Sequence, residues 1–152
     1  MACPAWPDMP FDASTDAVFV IASTPLLVRQ ALCDILRHPV LAQLSVEARG
    51  NAEVVLAEAL NNIVEHAYAD TLGQIDLRLH RSPDRLLCDI IDHGAPMPDH
   101  TLPMGLPQPI GVDKDLPEGG FGWFLIRSLT ENLTYRRIDA RNHLSFQLII
   151  EQ

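Results

Sequence analysis

Lysine is almost absent from this sequence, Lys114 being the only one. All other side-chain cations except histidine are arginines, and the 11 basic residues face 20 acidic ones, for a net charge of -9. A surface of that sign repels phosphate backbones and disfavours direct DNA or RNA binding. Cysteine is scarce as well: Cys3, Cys33 and Cys88 are odd in number and unpaired in spacing, which reads as reduced thiols and excludes a disulfide scaffold. No stretch approaches the roughly 18 apolar residues of a membrane span, and residues 1–12 have neither the basic region nor the apolar core of a signal peptide. A cytoplasmic chain without membrane attachment is the expectation.

What is present is ordinary for a globular fold. Hydrophobic residues make up 47% and charged residues 20% of 152 positions, enough to bury one core without metal or disulfides. Residues 1–12 carry Pro4, Pro7 and Pro10 and read as a tail, with a single domain over 13–152. Residues 17–22 form a short apolar run suited to a strand. Ser23 or Thr24 can cap a helix with Pro25 in its first turn, closed by His38-Pro39. Residues 51–68 hold the strongest helical pattern, with Ala52, Val55, Leu56, Ala59, Leu60 and Ile63 on one face. Two alternating segments, 74–80 and 86–92, flank Ser82-Pro83-Asp84-Arg85 and predict a hairpin.

Residues 95–118 lose all periodicity and contain half of the chain's 12 prolines, and a loop of that length inside a domain is usually a lid or disordered. Helical spacing resumes at 123–129, and a second strand pair is predicted over 133–137 and 143–149. This order predicts an α+β two-layer sandwich: a mixed, mainly antiparallel sheet with helices on one face.

Three constellations carry chemistry. Glu58, Asn62 and His66 stand at i, i+4 and i+8, so they form a polar row beside the apolar face of the strongest helix. Asp92-His93-Gly94 ends a strand, where a buried carboxylate can accept from an exocyclic amine and the glycine lets a flat ring approach. Glu118-Gly119-Gly120-Phe121-Gly122 precedes a helix, and its free amides with the helix N-terminus favour a polyphosphate. Taken singly, each also has a plain structural reading: a solvated helix edge, a strand-ending turn, and a flexible joint.

In that order and spacing, the segments beginning Glu58-Ala59-Leu60-Asn61-Asn62, Asp92-His93-Gly94 and Glu118-Gly119-Gly120-Phe121-Gly122 resemble the N, G1 and G2 boxes of histidine-kinase-like ATPases. The anti-sigma factor serine-kinase branch is the nearest match, over roughly residues 16–150. The resemblance implies ATP and Mg2+ as cofactors, Glu58 as general base, Asn62 as magnesium ligand and His66 near the phosphates. It further implies Asp92 as acceptor of the adenine amino group with Gly94 under the ring, Gly119, Gly120 and Gly122 around the phosphates, and residues 95–118 as the ATP lid. Lys114 in that lid is an additional candidate phosphate contact. Trp123 stands where leucine is usual. The partners implied are a sigma factor and an anti-sigma-factor antagonist phosphorylated on serine; homodimer formation follows only by family analogy. A non-catalytic, nucleotide-gated module that sequesters its partner would use the same boxes. A metal protein built on His80, His93 and His100 is a remote third reading, because their spacing matches no standard ligand pattern.

Overall fold

The computed structural model describes residues 10–104 and 120–150. Strand β1 spans Asp16–Ala22, where alternation buries Ala17 and Ile21 and leaves Val18 and Val20 in solvent. Helix α1, Pro25–Arg37, is opened by Thr24, whose Oγ1 accepts from the Leu27 amide at 3.3 Å. It stops where Pro39 begins the single-turn helix α2, Pro39–Ala42.

Helix α3 runs Val46–Asn62, five residues earlier than apolar periodicity predicts. The reason lies in its cap: Ser45 Oγ accepts from the Ala48 amide at 3.1 Å, so capping starts a helix whose first residue, Val46, faces solvent. After Asn62 the chain widens into a π-helical turn, Ile63–Ala67, closed by a 3.1 Å bond from the Tyr68 amide to the Ile63 carbonyl. Tyr68 then lies over Gly73, where a Cβ would sit 2.4 Å from its ring.

Strands β2, Gln74–Arg81, and β3, Arg85–Asp92, form the expected hairpin. Helix α4, Gly120–Leu129, precedes the second hairpin, β4 at Glu131–Ile138 and β5 at Arg141–Ile149. The sheet order is β1-β2-β3-β5-β4, and all four neighbouring pairs are antiparallel. The mainly antiparallel sheet is thus wholly antiparallel among the described residues.

The helices cover one face of this sheet. Ile75, Leu77, Leu79, Ile90 and Phe146 point inward and meet Ile35, Leu56, Leu60 and Ile126 from the helices, all essentially without solvent exposure. Each such side chain contributes about 1.5–3 kcal/mol on burial, so the core fixes the helical layer on the sheet. Cys88 lies in that core, where burial pushes its thiol pKa up, while Cys33 is exposed on α1. No helix among the described residues is long and apolar enough to cross a membrane.

Candidate functional site

The polar row on α3 ends at the same edge of the molecule as the carboxyl end of β3. There the structure encloses a cavity of about 400 Å³. Its walls are mainly apolar, from Ile63, Met97, Pro98, Trp123 and Leu144, with Asn62, His66, Asp92, Tyr135 and Asn142 as polar points. Concave, mostly apolar sites with a few convergent polar groups are the usual form of small-ligand pockets.

Asp92 is 2% exposed. Its Oδ1 accepts from the Gly94 amide and from Asn142 Nδ2, each at 2.8 Å. Burial raises its pKa above the ordinary carboxylate value, and these two hydrogen bonds, with nearby Arg137, pull partly the other way. The turn that follows is held at several points. Tyr68 Oη donates to the Gln74 carbonyl at 2.7 Å and accepts from the His93 amide at 2.8 Å, and the Ala95 amide donates to the Ala67 carbonyl at 2.8 Å. Burial chiefly raises the pKa of Tyr68, so the phenol stays protonated and able to donate.

Gly94 is needed first by the protein itself. A Cβ there would lie 2.4 Å from the Ala67 carbonyl oxygen, so only glycine lets the strand end pass the π turn so closely. Gly94 does not line the cavity. Gly122 is a second close approach: its Cβ would meet Glu58 Oε2 at 2.6 Å and the Asn62 amide at 3.4 Å. The first turn of α4 therefore rests directly on the Glu58–Asn62 row.

The three members of that row differ in setting. Asn62 is 3% exposed and its Nδ2 has no hydrogen-bond partner, an arrangement that costs about 1–3 kcal/mol. A buried amide left unpaired at a cavity wall fits a site that takes a polar ligand. Glu58 is half-buried beside Gly122 and is not among the cavity walls, while His66 is exposed at the cavity margin. The π turn begins immediately after Asn62, and Asn62 and His66 both line the cavity.

Gly120 opens α4, whereas Lys114 and Gly119 lie outside the described residues, as do residues 105–118 of the expected lid. Residues 95–104, the described part of the segment expected to form a lid, contain one 3-10 turn, Pro98–His100, and Arg127 Nε holds the Pro103 carbonyl at 3.0 Å. Among the described residues no group of three or more His, Cys, Asp and Glu side chains could hold a metal ion. The histidine metal centre is therefore not formed, and His80 instead pairs with Asp16 across β1 and β2. A magnesium ion here would have to draw most of its oxygen ligands from phosphates and water, its usual habit. An asparagine carbonyl oxygen is a ligand of the right hardness, so Asn62 fits that limited role.

Tyr135 and Arg137 were not singled out from sequence, yet they reach this site. Both lie on the inward face of β4, opposite Leu144 and Asn142 of β5. The signal was available: the alternation that turns Leu133 inward does the same for Tyr135 and Arg137, and an inward arginine at a sheet end is an anomaly.

Residues 21–148 match the family described as "Histidine kinase-like ATPase domain". Two curated relatives are each a "Serine-protein kinase RsbW". That of Bacillus mycoides (strain KBAB4) is 31% identical over 86 residues, covering 53% of this chain and 52% of the relative. That of Bacillus cereus (strain AH187) is 30% identical over the same length and shares. The chain thus matches about half the length of these relatives.

Proposed function

The chain belongs to the histidine kinase-like ATPase family, and from that premise we propose that it binds ATP with Mg2+ in this cavity and phosphorylates a serine of a partner protein. In this reading it is an anti-sigma factor that binds a sigma factor and phosphorylates an anti-sigma-factor antagonist. The observation that carries the reading is Asp92: its buried carboxylate has Oδ1 engaged by two donors and stands at the wall of a cavity of about 400 Å³.

Each residue then has a physical task. Asp92 accepts from the adenine amino group through Oδ2, and Gly94, packed against the Ala67 carbonyl, holds the turn that carries Asp92 beside the purine. Asn62 supplies its amide oxygen to the metal, which neutralises phosphate charge when bound. His66 stands near the phosphates, and the Gly119, Gly120 and Gly122 amides hold them at the start of α4, with Lys114 as a further contact from the lid. Glu58 accepts the serine proton, a role worth about 10²- to 10⁴-fold in rate. Phosphoryl transfer depends mainly on positioning and charge neutralisation, which these parts provide.

Incubation with Mg-ATP and an antagonist protein should yield phosphoserine on the antagonist. Glu58→Gln should lower the transfer rate by about 10²-fold or more and leave ATP affinity nearly unchanged. Transfer at wild-type rate by that variant would remove Glu58 from the chemistry. One observation favours the non-catalytic reading: Glu58 rests against Gly122 and not on the cavity wall. Tight, nucleotide-dependent partner binding without phosphoserine would decide for it. Homodimer formation belongs to the same proposal, and sedimentation of the purified chain tests it.

A further inference from the structure

Asn142 has no hydrogen-bonding capacity left for a ligand. Its Nδ2 donates to Asp92 Oδ1 and to the Ala95 carbonyl, both at 2.8 Å. Its Oδ1 accepts from Tyr135 Oη at 2.5 Å and from Arg137 Nη1 at 3.0 Å. An amide offers two N-H donors and an oxygen with two lone pairs, and all four are in use.

The orientation of that amide is not free. A guanidinium can only donate, so Arg137 requires the oxygen of Asn142 to face it and turns the NH2 group toward Asp92. Arg137 also donates to the Gly94 carbonyl at 2.7 Å, and Tyr135 Oη accepts from the Met97 amide at 2.9 Å. Both side chains are therefore fixed at their far ends as well. With Asn142 Nδ2 and the Gly94 amide on Oδ1, the carboxylate keeps Oδ2 as its open acceptor.

We propose that Arg137 and Tyr135, acting through Asn142, are positioning residues that make this pocket select a 6-aminopurine nucleotide over a 6-oxopurine one. The inference rests on the reading of the cavity as a nucleotide site. Its logic is one of polarity: a 6-amino group donates and a 6-oxo group accepts. An Asp92 held as a pure acceptor pairs with the first and repels the second. Without Arg137 the Asn142 oxygen keeps only Tyr135 as a donor, and the amide holds Asp92 Oδ1 less firmly, although the Ala95 carbonyl still accepts from Nδ2. A carboxylate held less firmly no longer presents Oδ2 squarely to the 6-amino group, so the pairing that distinguishes the two purines weakens.

The test is the ratio of GTP to ATP dissociation constants, measured by calorimetry with magnesium for the wild type, Arg137→Met, Arg137→Lys and Tyr135→Phe. The wild type should prefer ATP. Arg137→Met should lower that preference about tenfold, the worth of one charge-assisted hydrogen bond, mostly by weakening ATP binding. Arg137→Lys, which remains a pure donor, should restore most of the preference, and the isosteric Tyr135→Phe should fall between. Equal weakening of both nucleotides in every variant would mean that Arg137 and Tyr135 only brace the fold, and the proposal falls. No nucleotide binding by the folded wild type would overturn the reading of the site itself, a result separable from the first.

Discussion

Burial makes Asp92 hold its proton more firmly in the folded chain than in the unfolded one. For a carboxyl whose pKa is raised by folding, the contribution to stability is greatest below the ordinary carboxylate range and is lost as pH rises through the folded value. At neutral pH the ionised group therefore opposes folding. Asp92→Asn removes that charge, and both accepted hydrogen bonds fall on Oδ1, so an asparagine oxygen can keep them. The ligand-free variant should melt a few degrees higher at pH 7, the response of a domain this size to about 1 kcal/mol. It should bind ATP at least about tenfold more weakly, because an NH2 group replaces the open acceptor. Thermal melts at pH 7 and pH 4 check the first part, since the advantage should shrink on acidification.

Gly94 and Gly122 separate in the same way. A Cβ on Gly94 meets backbone, the Ala67 carbonyl, whereas one on Gly122 meets the free end of the Glu58 side chain. Gly94→Ala should destabilise by about 1–3 kcal/mol, the range for overpacking. Gly122→Ala should change stability by less than about 1 kcal/mol, as alanine is also the better helix former. It should nevertheless displace the Glu58 carboxylate and lower phosphotransfer. Denaturant melts beside a transfer assay distinguish the two.

The β4–β5 hairpin sets the register that brings Arg137 opposite Asn142. Its two-residue turn, Asp139-Ala140, has φ of 51° and 61°, the sense required by the twist of the flanking strands. Alanine in that left-handed region costs about 1 kcal/mol. Ala140→Gly should relieve most of that cost, visible as a higher denaturation midpoint with unchanged nucleotide preference. On the opposite side of the cavity the π turn does comparable work. It ends α3 so that Ala67 and Tyr68 both grip the Asp92–Ala95 turn, which joins the polar row to the Asp92 end of the cavity.

Ligand binding should be visible in the stability of the entire domain, because the cavity is bounded by α3, β3, α4 and the second hairpin together. At a free ATP concentration about 100 times the dissociation constant, linkage adds about 2.7 kcal/mol. For a chain of this length that corresponds to a rise of about 5–10 °C in melting temperature. Chelating magnesium should reduce the shift, whereas an equal shift with and without the metal would exclude Asn62 as its ligand.

Local chemistry determined most of the elements. Thr24 before Pro25, the alternation in 74–80 and 86–92, and the apolar stripe of α3 act within a few residues of chain, so they are legible from order alone. The α+β arrangement followed from burying those faces, and the motif residues Asn62, Asp92 and Gly122 follow from spacing. Tertiary packing decided the rest. The grip of the π turn and Tyr68 on the Asp92–Ala95 turn, the need for Gly94 against Ala67, and the saturation of Asn142 by Tyr135 and Arg137 all join residues from separate elements. Sequence periodicity reports which face a side chain takes, but the pairing of two polar groups across strands is a matter of distance, and distance exists only once the sheet and helices have packed.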